Sequence, residues 1–102
     1  MTEGYAATPA PQEPADRLAA AVLGVPGVAA LHPGMFGEVG TYLPGRRVAG
    51  IRITDNVVDV HIVVVFGGAV RDTAAAVRAT VSALHPGAAV NVTVEDIAPA
   101  PP

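Results

Sequence analysis

The stretch Val48 to Phe66, VAGIRITDNVVDVHIVVVF, decides the fold. Two alternating segments, Val48 to Thr54 and Val57 to Phe66, flank Asp55 and Asn56, residue types that tolerate positive φ in a two-residue hairpin turn. Such a turn sets the register. Thr54 is expected opposite Val57, Ile53 opposite Val58, Arg52 opposite Asp59, Ile51 opposite Val60 and Gly50 opposite His61. One face then carries Ile51, Ile53, Val58, Val60, Ile62, Val64 and Phe66, a surface fit for a core. The other carries Val48, Arg52, Asp59, His61, Val63 and Val65, so it is only half polar, and its valines call for a cover.

Downstream of the hairpin, Gly67 and Gly68 lead into a helix whose stripe is Val70, Ala74, Val77, Val81 and Leu84, closed by His85, Pro86 and Gly87. A strand from Ala89 to Val94 follows, with Val90, Val92 and Val94 inward and Asn91, Thr93 and Glu95 outward. A single helix between two strands implies that they run parallel. Upstream, Pro14 to Leu23 reads as a helix with proline in its first turn, Asp16 at its positive end, and Leu18, Val22 and Val25 along one face. Gly27 to Leu31 reads as a short strand broken by His32, Pro33 and Gly34. The expected fold is a two-layer α+β sandwich of order α-β-β-β-α-β, with both helices on one face of a small mixed sheet.

Between these elements lies PGMFGEVGTYLPGRR, Pro33 to Arg47, expected to be a long irregular loop. It holds Phe36 and Tyr42, half of the four aromatics, and ends in Arg46 and Arg47. Large apolar side chains in a loop point to recognition. Phe36, Glu38, Tyr42, Arg46 and Arg47 are therefore the candidate partner-binding residues of the loop, with Tyr42 as anchor and the arginines meeting an acidic group. A plainer reading pairs the arginines with Glu38 on a solvated rim. Val48, Arg52, Asp59, His61, Val63 and Val65 are the candidate partner-binding residues of the outer sheet face.

At 102 residues the chain supports one domain, expected over residues 14–97, with Pro/Ala-rich tails at 1–13 and 98–102. A domain of that size buries only about 60% of its unfolded surface, and sharing a face with a partner would stabilise it. Net charge is −3, but three of the nine acids, Glu3, Glu13 and Asp16, precede the first arginine, so the rest balances the six arginines. A neutral domain without lysine argues against nucleic acid as the partner. With no cysteine there is neither a disulfide framework nor a thiolate metal site. The longest apolar run, Leu18 to Leu31, is short of the roughly 20 residues of a membrane span and is broken by Gly24, Pro26 and Gly27.

No catalytic constellation stands out. Ser82 and His85 lie i, i+3 on a helix with no third group, and Glu95 and Asp96 are adjacent on a strand. The repeated Ala-Leu-His-Pro-Gly at Ala30 and Ala83 reads as punctuation at two element ends, and His61 is too isolated to complete a metal site, so no metal and no cofactor are expected. The quartets Gly24 to Gly27 and Gly34 to Gly37 resemble the RNA-clamping loop of KH domains, which keeps a small KH-like RNA-binding module as the alternative function.

Several segments in this order resemble the alkaline shock protein family of envelope stress response proteins. They are Val25-Pro26-Gly27-Val28 between helix and strand, the hairpin, the glycine after it that leads into a helix, and the closing Val92-Thr93-Val94-Glu95-Asp96-Ile97. GEVGTYLPGRRVAGI, Gly37 to Ile51, is similar to the loop of actinobacterial members. The resemblance implies a non-enzymatic cytoplasmic protein that self-associates into a homo-oligomer or is held at the inner face of the membrane by a separate anchoring protein. Family members usually begin with a strand, and here a Pro/Ala-rich tail takes its place, which leaves a sheet edge open for another chain.

Overall fold

The computed structural model describes residues 13–100; the expectations for the tails at 1–12 and 101–102 lie outside the described residues. The hairpin forms as its turn dictates. β4 (Ile51–Thr54) and β5 (Val57–Val65) pair antiparallel with Ile51 opposite Val60, Arg52 opposite Asp59, Ile53 opposite Val58 and Thr54 opposite Val57. Asp55 adopts φ +42° in the turn. α1 (Pro14–Leu23) and β1 (Val28–Leu31) precede it, while α2 (Val70–Leu84) and β6 (Ala89–Ala98) follow. β6 runs parallel to β5 along its whole length, as one intervening helix requires. Its last residue, Ala98, was expected in the tail but accepts a hydrogen bond from the Phe66 N–H at 2.7 Å.

The expected order needs two more strands. Inside the supposed loop, β2 (Gly40–Leu43) and β3 (Arg46–Ala49) form a second hairpin, giving α-β-β-β-β-β-α-β. Its origin is visible in the pairing of β5. Since β6 fills one edge of β5, β1 and β4 share the other, placed end to end and meeting at His61. There the His32 N–H donates to the His61 carbonyl at 2.8 Å, and the His61 N–H donates to the Gly50 carbonyl at 3.0 Å. Pro33 to Ala49 leave the sheet at this junction and return to it through Gly50. Val39, buried, ties down the base of the excursion by donating to Pro33 O and accepting from the Gly50 N–H.

Both helices cover one face of the sheet. Leu18 and Val22 of α1 and Val77 and Val81 of α2 pack with Ile51, Val58, Val60, Ile62 and Val64 into one cluster. Each such side chain contributes about 1.5–3 kcal/mol relative to exposure. Three sequence expectations change here. Val48 was assigned to the outer face, yet it is only 9% exposed and belongs to the core cluster, because Gly50 interrupts the alternation between it and Ile51. Phe66 is 70% exposed rather than buried, since β5 and the core both end before it. Leu84 is also exposed, and Thr73 takes a buried place on α2 instead.

Candidate functional site

Alternation along the β2–β3 hairpin separates its residues into two sets. Pro44 and Gly45, the latter at φ +74°, make the turn, and Leu43 faces Arg46, Tyr42 faces Arg47 and Thr41 faces Val48. Thr41, Leu43, Arg46 and Val48 point toward the body of the protein. The Thr41 hydroxyl donates to the Ile51 carbonyl at 2.6 Å, and Leu43 packs on the core.

Arg46, expected to meet a partner or pair with Glu38, instead grips Asp16 of α1 through two parallel hydrogen bonds of 2.6 Å. This bidentate pair clamps the hairpin to the helix. The Arg46 hydrogen bonds hold the Asp16 carboxyl below its ordinary value of 3.8 and raise the guanidinium. Because the folded-state value is depressed, the contribution of Asp16 to stability is full above the unfolded value and is lost as pH falls through the folded one. Thermal melts from acidic to neutral pH should show a gap between the wild type and Asp16→Asn that is open above about pH 4 and closes in more acidic solution. A gap of constant size would remove the clamp from the account.

Arg47 points the other way and organises the exposed side. Its guanidinium lies across Gly40, where an added Cβ would sit 2.5 Å from Nε, and it donates from Nη2 to the Gly37 carbonyl. It also stands 5.4 Å from the centroid of the Tyr42 ring, an arrangement worth about 0.5–1 kcal/mol at an exposed site. Arg47 thus joins the segment before the hairpin to the hairpin itself, with its Nε buried and without an acceptor. On this brace Met35, Phe36 and Tyr42 are 80%, 90% and 78% exposed.

Glu38 connects the patch to the sheet. Phe36 N–H donates to its carboxylate at 3.0 Å, and its own backbone N–H, that of Phe36 and the nearby His61 and Arg52, in decreasing order, hold the carboxyl below its ordinary value. The outer sheet face therefore begins where the loop ends. On that face Arg52 lies 3.5 Å from Asp59, Asn91 donates to Asp59 at 3.2 Å, and His61 Nδ1 meets Glu95 at 2.5 Å. Val63 and Val65 stay half-buried, and no helix crosses them.

The structure thus brings together Phe36, Glu38, Tyr42, Arg47, Arg52, Asp59, His61, Val63 and Val65, and removes Arg46 and Val48. It adds Met35 and Glu95. Met35 carried the same signal as Phe36, an apolar residue between Gly34 and Gly37. Glu95 was placed outward by alternation, but a bulge between the Ile62 and Val63 pairings sets its partner, and nothing in the sequence marks that bulge.

The remaining motifs disperse. His32 Nδ1 accepts the Gly34 N–H at 3.0 Å, and His85 caps α2. Among the described residues no three His, Asp or Glu side chains gather in a way that could hold a metal ion, and no pocket opens. Gly24 to Gly27 joins a helix to a strand and Gly34 to Gly37 joins two strands, so neither quartet links two helices as a KH loop does.

No protein-family model matches the sequence, and no curated protein matches it. The fold has a solved counterpart. A tryptophan-to-alanine variant of the MamM CTD is similar with a TM-score of 0.51 and 17% identity, over 87% of this chain and 94% of that one. At that identity the likeness is one of fold. No described helix is long and apolar enough to cross a membrane.

Proposed function

We propose that the chain is a non-enzymatic assembly module that docks a protein partner through Met35, Phe36 and Tyr42 together with the adjoining outer sheet face. One observation carries the reading: three large apolar side chains stand in solvent on a hairpin that is held from both sides, by Arg46 on Asp16 and by Arg47 on Gly37. Apolar groups exposed on a rigid support lose little entropy on binding, which is the character of an interface anchor. Arg47 beside Tyr42 adds a cation for an acidic group on the partner.

The narrower role is an envelope stress response protein in the cytoplasm, docked at the inner face of the membrane to an anchored partner. Its support is the resemblance of the quoted segments to the alkaline shock protein family. The similarity of the MamM CTD supports the fold and leaves that role to experiment.

Replacing Phe36 and Tyr42 together by alanine should abolish recovery of the partner from native membranes, while the unfolding free energy stays within about 0.5 kcal/mol because both residues are exposed. Binding by the intact patch should persist as salt is raised, as apolar contact requires. Undiminished recovery with the double variant would refute the patch.

A further inference from the structure

β6 is an open edge. Among the described residues it pairs only with β5, and its ten residues contain neither proline nor lysine. The Ala89 N–H donates inward to Asn56 O at 2.7 Å, so by the alternation of a strand Val90, Val92 and Val94 turn their N–H and C=O groups outward. Arg78 of α2 marks this direction, since its Nε donates to the Val90 carbonyl at 3.4 Å from beyond the edge. The three valine side chains lie on the core side yet remain half-exposed, because no strand flanks them. Such an edge is a template for one more strand.

We propose that the added strand is β6 of a second copy, paired antiparallel about a twofold axis at Val92, so that two four-stranded sheets become one. The strand is complementary to itself in this register. Val92 meets Val92, Val90 meets Val94, and Asn91 meets Thr93, so the groups that point outward are those that face one another, with apolar pairs on one face and a polar pair on the other. Charge selects the same direction. The acidic end, Glu95 and Asp96, of one copy falls opposite the Ala89–Val90 end of the other, where Arg78 reaches the edge, and this happens twice by symmetry. Parallel pairing would set acid beside acid. The dimer uses a surface distinct from the hairpin patch and does not rest on the reading given above for that patch.

Sedimentation of the purified chain over a range of concentrations should give a dimer of the 10.2 kDa chain. Val92→Pro removes only an outward N–H, a change that edge strands tolerate, and should yield a folded monomer. Arg78→Asp should weaken the dimer roughly tenfold or more, and adding Asp96→Arg should restore it. In the wild type, the Val92 and Val94 amides should exchange slowly with solvent as dimer and fast as monomer. The Phe36→Ala, Tyr42→Ala variant should dimerise as before. A wild type that stays monomeric at its highest attainable concentration, or a dimer whose Val92 amide exchanges freely, overturns the proposal. Loss of the dimer in the Phe36, Tyr42 variant would overturn it too. Should Val92→Pro fail to fold, the exchange of the wild-type amides decides alone.

Discussion

Replacing Gly50 by alanine is expected to lower the unfolding free energy by about 2–4 kcal/mol, the sum of left-handed backbone strain and a clash that side-chain motion cannot relieve. Gly50 holds φ +84°, and a Cβ there would stand 2.8 Å from the Leu31 Cβ and 3.1 Å from both His32 N and His61 O. Two of those three atoms are the donor and acceptor of the bond that docks the end of β1 on β5. The added methyl therefore acts on the junction where β1, β4 and the hairpin excursion meet. Gly45→Ala is the control. Its φ is +74°, but nothing lies within 4 Å of the added carbon, so it should cost only the strain, about 1–2 kcal/mol. Urea unfolding of both variants measures the difference, and equal losses would mean that crowding at the junction is not what fixes Gly50.

The same glycine explains how far the sequence could be read. Asp55 and Asn56 sit between two clean alternating runs, so the β4–β5 register is legible from composition alone, as is the parallel return of β6 after a helix. Beyond Gly50 that counting fails. Val48 lies two residues from Gly50 and four from Arg52, so alternation puts all three on one face; a positive-φ glycine shifts the parity and turns Val48 into the core. The hairpin β2–β3 carried a signal that the glycines around it obscured. Pro44-Gly45 is a turn dipeptide, and Thr41, Leu43, Arg46 and Val48 alternate about it. Its two arginines, adjacent in sequence, necessarily point to opposite faces of a strand. One therefore clamps the hairpin to α1 while the other stacks on Tyr42. Asp16 as the partner of Arg46 lies 30 residues away and follows only from the folded arrangement.

Ile62→Ala and Val63→Thr, at adjacent positions, should differ more than any other neighbouring pair on β5. Ile62 is fully buried beneath the helices, so truncation leaves a cavity and should cost about 2–5 kcal/mol. A domain of this size has roughly 5–10 kcal/mol to lose, and each kcal/mol moves the Tm by about 4–8 °C. The melting temperature should therefore fall by roughly 10 °C or more. Val63 faces the side no helix covers, and threonine keeps its β-branched shape while adding a hydroxyl that water can satisfy, so the change should stay within about 0.5 kcal/mol. The contrast tests the function as well as the fold. If the outer face docks a partner, Val63→Thr places an uncompensated hydroxyl in that contact and should weaken partner recovery at unchanged Tm. A Tm loss at Val63 comparable to that at Ile62 would mean the outer face is already buried in the isolated protein, and the docking surface would shrink to the hairpin patch alone.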